Sequence, residues 1–169
     1  MIVFRNYGII VLERLGNMKK YLRITPEGTK DFLFAECAAM DDVCGRIRDF
    51  FRSRTEQCVS DGIDKDYICL DPGVGFGKSY RQNLAIAQGF GSLCLDGFPM
   101  LAAASRKRVI GMSCGNPPAD RRMPGTVAYH TICIWGGAHM IRVHDIPEAV
   151  QGARVADAVM RGGALPTEK

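Results

Sequence analysis

Three short apolar runs, Tyr67–Leu70, Pro99–Ala103 and Ala138–Val143, each stop at a polar turn and lead into a helical stretch. Apolar runs this short read as strands buried on both faces. Strands that alternate with helices form βα units around a parallel sheet, so the chain is α/β. The helical stretches support this. Val43, Ile47, Phe50, Phe51 and Cys58 recur at helical spacing over Asp41–Cys58, and Arg46, Arg48, Asp49, Arg52 and Arg54 cover the rest. Asp41 or Asp42 can cap that helix, and Asp61-Gly62 ends it. A second helix is expected over Gln82–Leu95. A third lies near Thr126–Trp135, after a polar loop holding Pro117 and Pro118, and Pro147 opens a last one running to about Met160. Residues 1–40 lack this rhythm. They read as a divergent segment with one strand, Gly8–Leu12, and a long connection, ahead of the βα part over 41–169.

With 169 residues, 47% of them hydrophobic and 24% charged, one domain with its own core is within reach, and disorder, collagen and coiled coil are excluded. No apolar run approaches the ~18–20 residues that span a bilayer. Gly8–Leu12 is too short for the apolar region of a secretory leader. The expectation is a soluble cytoplasmic protein with no membrane partner. The net charge of +4 is dispersed, and Ser105–Arg108 and Asp120–Arg122 are too short to argue for nucleic acid. They suit a small anion or a solvated surface. The seven cysteines include no C-x-x-C pair, and His130, His139 and His144 stand at no zinc-ligand spacing from any of them. Buried free thiols in a reducing compartment are expected.

Each strand is followed at once by residues that can carry chemistry. After the first comes Asp71-Pro72-Gly73-Val74-Gly75-Phe76-Gly77-Lys78, whose glycines permit close backbone approach to a ligand. Asp71 can be held towards a cleft there, or can cap a turn. After the second comes Ser105-Arg106-Lys107, cations beside a strand end that suit an anion or a surface turn. The third carries Arg142-Val143-His144-Asp145. Strand alternation puts Arg142 and His144 on one face, as a phosphate clamp or as partners of Asp145. Polar sites at the same ends of successive parallel strands are how (β/α)8 barrels build an active site.

These signatures carry a resemblance. Asp71–Lys78, Asn83 five residues on, Pro99-Met100-Leu101, Ser105-Arg106-Lys107 and Arg142-Val143-His144-Asp145 agree in order and spacing with one family. From about Asp41 to Arg161 the chain resembles the C-terminal half of the dihydropteroate synthases, folate-pathway enzymes of the pterin-binding family. The resemblance implies a TIM barrel. It implies a transferase that displaces pyrophosphate from hydroxymethyl-dihydropterin diphosphate with the amine of p-aminobenzoate, and magnesium as its ion. Asp71 would hold the pterin ring, and Phe76 would pack near the substrates. Lys107 would contact the pterin and border the p-aminobenzoate pocket. Arg142 and His144 would bind the diphosphate, so Lys107, Arg142 and His144 form the implied catalytic set.

The departures set further expectations. A TIM barrel takes about 200–250 residues, and only its last three to four βα units are legible here, so the chain resembles a truncated barrel. In that reading Gly8–Leu12 replaces the fifth strand. The family's Asn-x-Thr-Pro-Asp-Ser-Phe motif, whose Asn helps bind magnesium, is not found; Leu22–Glu27 echoes it with Arg23 where the Asn belongs. Ala103 stands where the family usually has Gly. Arg108 stands where it often has Ser beside p-aminobenzoate, and can narrow that pocket or bind the carboxylate. A half barrel exposes two strand edges, expected at Tyr67–Leu70 and Ala138–Val143, so a homo-oligomer or a complementary half is expected as partner. The alternatives are a non-catalytic pterin- or anion-binding remnant, or a pterin-binding domain of the methyltetrahydrofolate methyltransferase kind.

Overall fold

In the computed structural model the described residues are 2–3, 8–11, 22–24 and 42–162. Six strands are present among them: β1 (Ile2–Val3), β2 (Gly8–Val11), β3 (Leu22–Ile24), β4 (Ile68–Leu70), β5 (Leu101–Ala102) and β6 (Met140–Val143). The helices are α1 (Asp42–Ser60), α2 (Tyr80–Gln88), α3 (Arg108–Ser113), α4 (Met123–Trp135) and α5 (Ile146–Met160). The three expected strands and four expected helices are all there, in the expected order. Asp41 and the side chain of Asp42, the expected caps, lie outside the described residues.

The parallel pairs are β3 with β4 and β5 with β6, and a parallel bridge between Leu70 and Met100 joins the two pairs. Burial explains why β4 reads as a plain apolar run: Ile68, Cys69 and Leu70 are all buried. On α1, Val43, Ile47 and Phe51 are fully buried at four-residue spacing, the stripe the sequence shows. They join Ile86, Phe90 and Leu93 in one core with the strands and with Ala149, Ala153 and Ala156 of α5. All described cysteines are free thiols.

The structure departs from expectation in three places. α2 opens on a capping box, with Ser79 Oγ accepting from Gln82 N–H and Gln82 Oε1 from Ser79 N–H. It stops at Gln88, and a separate 3-10 turn over Phe90–Leu93 takes the place of the expected last turn. Gly89 ends it, where a Cβ would lie 3.0 Å from Cys44 Sγ. α3 is an addition: six residues interrupted by Gly111 are too few to show a helical period.

The third departure concerns residues 1–40. Gly8–Val11 is a strand, but it lies antiparallel against β6, with Gly8 opposite Val143 and Val11 opposite Met140, and β1 pairs antiparallel beyond it. It therefore does not take the fifth strand's place beside β4. That position belongs to β3, within the Leu22–Glu27 stretch that reads in sequence only as a faint echo of a motif. Both edges expected to be open are thus paired within the chain, β4 by β3 and β6 by β2. The remainder of both sequence stretches, Leu12 and residues 25–27, lies outside the described residues.

Candidate functional site

The C-terminal ends of β4, β5 and β6 each release a loop on the same side of the parallel pairs. The loop after β4 turns on glycines: Gly73, Gly75 and Gly77 all have positive φ, at 66°, 84° and 61°. Asp71 is buried, and its Oδ1 accepts from Gly73 N–H at 2.8 Å. Asn83, one turn into α2, accepts from Gly75 N–H at 2.7 Å and donates to the carbonyls of Lys78 and Ser79. Lys78 Nζ closes the loop by donating to Gly73 O at 2.9 Å.

The loop after β5 carries Ser105, Arg106 and Lys107, and the end of β6 carries Arg142, Val143 and His144. Ala103, Ser105, Lys107, Arg142, Val143 and His144 line one open cleft of about 280 Å³. All three residues of the implied catalytic set stand on its wall.

Their orientation follows from local bonds. The His144 backbone N–H donates to Ser105 Oγ at 3.1 Å, and the same hydroxyl lies 2.9 Å from His144 Nδ1. That contact fixes the orientation of the ring, with donor and acceptor set by its tautomer, and leaves Nε2 as the ring nitrogen outside it. Lys107 Nζ donates to the Val74 carbonyl and sits over the Phe76 ring, 4.1 Å from its centroid. It thereby ties the two loops together. A Cβ on Gly75 would come within 2.7 Å of Lys107 Cδ, so this approach needs a glycine.

Asp145, next to His144 in the chain, is a carboxylate already occupied. Arg106 grips it through Nε, at 3.0 Å, and Nη2. The Arg106 hydrogen bond holds the Asp145 carboxyl below its ordinary range against the cost of desolvation. The sequence left open whether Arg142 or His144 pairs with Asp145; Arg106 takes it instead. Arg142 has no ion-pair partner among the described residues.

The other predicted site residues lie apart from the cleft wall. Asp71 is buried under the glycine loop, and Phe76 is exposed, touching the site through Lys107. Arg108 is exposed at the start of α3. Ser105 is the addition: sequence reading set it in a motif, but its contact with His144 needs two strand ends side by side.

Magnesium takes oxygen donors, carboxylates foremost. The cleft offers an ammonium, a guanidinium, an imidazole and one hydroxyl already bonded to His144. Among the described residues no group of three or more His, Cys, Asp or Glu could hold a metal. This donor set does not fit a resident magnesium ion; it fits an anion. Among the same residues no helix is long and apolar enough to cross a membrane.

Residues 27–144 match the family described as pterin binding enzyme. The dihydropteroate synthase of Synechocystis is 38% identical over 120 residues, which cover 71% of this chain and 42% of that protein. A solved dihydropteroate synthase of Xanthomonas albilineans with 4-aminobenzoic acid is similar at a TM-score of 0.74 and 33% identity, covering 86% of this chain and 50% of that one. The same enzyme with 7,8-dihydropteroate gives 0.73 and 33%, covering 86% and 53%. The chain thus spans about half the length of the proteins it matches, or less.

Proposed function

The chain belongs to the pterin-binding enzyme family, and from that premise we propose that it carries the diphosphate-binding side of a dihydropteroate synthase site. The reaction would join p-aminobenzoate to hydroxymethyl-dihydropterin diphosphate, giving dihydropteroate and pyrophosphate. The observation that supports this reading is the cleft itself: Lys107, Arg142 and His144 converge at the ends of β5 and β6, while the nearby carboxylate is held by Arg106.

The chemistry needs such a wall. The arylamine nitrogen attacks the pterin methylene carbon, a C–N bond forms, the C–O bond to the diphosphate breaks, and the amine loses one proton. Pyrophosphate leaves with the bonding electrons, so negative charge grows on its oxygens. Cations and an imidazole N–H fixed where that charge develops lower the barrier. Arg142 and His144 would take the diphosphate. Lys107, between cleft and glycine loop, would meet the pterin and the edge of the p-aminobenzoate pocket. Asp71 would hold the pterin ring, Phe76 would pack near the substrates, and Arg108 would stand where p-aminobenzoate enters. In this reading the βα units are part of a TIM barrel. No step depends on magnesium held by the described residues.

Titration calorimetry with inorganic pyrophosphate tests the proposal. Arg142→Ala should weaken binding by about 1.5–3 kcal/mol, the worth of a hydrogen bond to a charged group. Equal affinity in wild type and variant would remove Arg142 from the site. A second reading, non-catalytic binding of a pterin or an anion, draws on the same lining, which suits an anion whether or not turnover follows. Pyrophosphate binding without dihydropteroate formation from the two substrates would select it.

A further inference from the structure

The proposed chemistry leaves a row of polar side chains on α4 without a task. In this largely apolar helix Thr126 and His130 are both buried to 1% exposure. With Arg122 at the helix start, they stand four residues apart, one above the other on one face. Each contributes to a single object, the backbone of the loop after β5. Ala104 N–H donates to His130 Nε2 at 3.0 Å. Arg106 N–H donates to Thr126 Oγ1 at 3.0 Å. Arg122 Nη1 donates to the Arg106 carbonyl at 3.0 Å, while its Nε is spent on the Pro117 carbonyl at 2.9 Å.

Two observations indicate that this row is more than packing. Arg106 has a φ of 58°, the left-handed region that a residue with a side chain enters only uphill. Both of its backbone polar groups are captured by α4, which offsets that cost. His130 accepts through Nε2, so its neutral ring carries the proton on Nδ1. That atom is buried with no hydrogen-bond partner among the described residues. An apolar side chain would fill the space without stranding a donor. The acceptor at Nε2 is what the histidine adds.

We infer that α4 is the positioning element of the cleft. Arg122, Thr126 and His130 set the register of the Ala104–Lys107 backbone, and so aim Ser105 at His144 and Lys107 across the glycine loop. The inference rests on the reading of the cleft as an anion site, and adds three positioning residues that do not touch the anion.

The test uses Thr126→Val, which keeps the shape and removes the acceptor, and Thr126→Ser, which restores it. His130→Leu and His130→Gln form the parallel pair. Amide hydrogen exchange and the His144 ring resonances are read by NMR without ligand, and pyrophosphate affinity is read by calorimetry. In Thr126→Val and His130→Leu, the Arg106 and Ala104 amides respectively should lose protection and the His144 resonances should shift. The Ile141 amide in β6 should stay protected. Pyrophosphate should bind about three- to tenfold more weakly, the range that one lost buried hydrogen bond covers. Thr126→Ser and His130→Gln should restore both readouts. Unchanged loop amides and His144 resonances would overturn the inference. So would loss of protection spread evenly over β6, or a released loop with unaltered pyrophosphate affinity. If the wild type binds no pyrophosphate, the proposed function falls, and the exchange data alone decide whether α4 registers the loop. Should Thr126→Val fail to fold, Gly111→Ala displaces Arg122 from the other side, since the new Cβ would lie 2.6 Å from the guanidinium carbon.

Discussion

The loop after β4 and the loop after β5 face each other across Lys107, yet they are held in opposite ways. The first is held by its own neighbourhood. Its turns are made by Gly73, Gly75 and Gly77, and its local clips are Asp71, Lys78 and Asn83, the farthest eight residues from the group it bonds, with one long-range bond added by Lys107 to the Val74 carbonyl. The second makes a left-handed turn without any glycine, at Arg106, and its clips come from Arg122, Thr126, His130 and Asp145. A loop of the first kind brings its geometry with it. A loop of the second kind takes its shape only once a distant helix has docked. The comparison teaches that one site can combine a self-sufficient wall with a dependent one, and that the two should fail differently.

Among substitutions at neutral pH, the largest expected effect is on the self-sufficient wall. Asn83→Leu strips the partners from Gly75 N–H and from the Lys78 and Ser79 carbonyls, and should cost about 3 kcal/mol in urea unfolding. Amide protection should vanish over the glycine loop and persist at Ala104 and Arg106. If both loops loosen together, the contrast between them is lost.

Acid should strike the dependent wall. Burial, helped by the charge of Lys107, pushes the His130 imidazole down to about 3 from its ordinary 6.5. The unfolded chain therefore binds one proton more between those values. The stability from keeping His130 neutral is complete above about pH 6.5 and drains away as the pH falls towards 3, by at most about 1.4 kcal/mol per pH unit. His130→Gln should flatten that part of the pH–stability curve. Superimposable curves for wild type and variant would show that the ring does not sit neutral in the fold.

Gly75→Ala should cost less, about 1–2 kcal/mol, because φ is +84° there and L-residues pay to enter that region. The added methyl also meets Lys107 Cδ, so the lysine should leave the Phe76 ring, visible as a shift in the ring resonances. The smallest effect on stability, within about 1 kcal/mol, is expected for Gly111→Ala, where the usual helical gain of alanine works against displacement of Arg122. Its informative readout is a shift of the Lys107 amide resonance, in the peptide whose Arg106 carbonyl Arg122 holds, at nearly unchanged stability. A plain gain in stability with the loop undisturbed would show that Arg122 finds another way round.

The same contrast governs what could be read from the chain beforehand. The three apolar runs, the stripe Val43, Ile47 and Phe51, and the glycine loop are local patterns, and they stand in the structure where the spacing puts them. Arg142 and His144 share a cleft, but Val143, which strand alternation sets on the other face, lines it as well. What escaped was long-range. Nothing near Arg106 announces that it, rather than Arg142, will hold Asp145. Thr126 and His130, two polar residues one turn apart in an apolar helix, were a usable signal, but their target only exists once α4 lies under the loop. The directions of β2 and β3 were equally hidden, because a short apolar run carries no sign of which strand it will meet or of its sense.

The antiparallel pairing of β2 with β6 also has a consequence in time. Gly8 leaves the ribosome about 135 residues ahead of its partner Val143. At ~5–20 residues per second, β2 waits on the order of ten seconds for the strand it pairs with. During that interval its backbone donors and acceptors face solvent and any other nascent chain nearby. The βα units can condense as they emerge, whereas β2 can pair only after β6 has been made. Translation speed and crowding of polysomes therefore bear on the yield of this fold, through an element that takes no part in the cleft's chemistry.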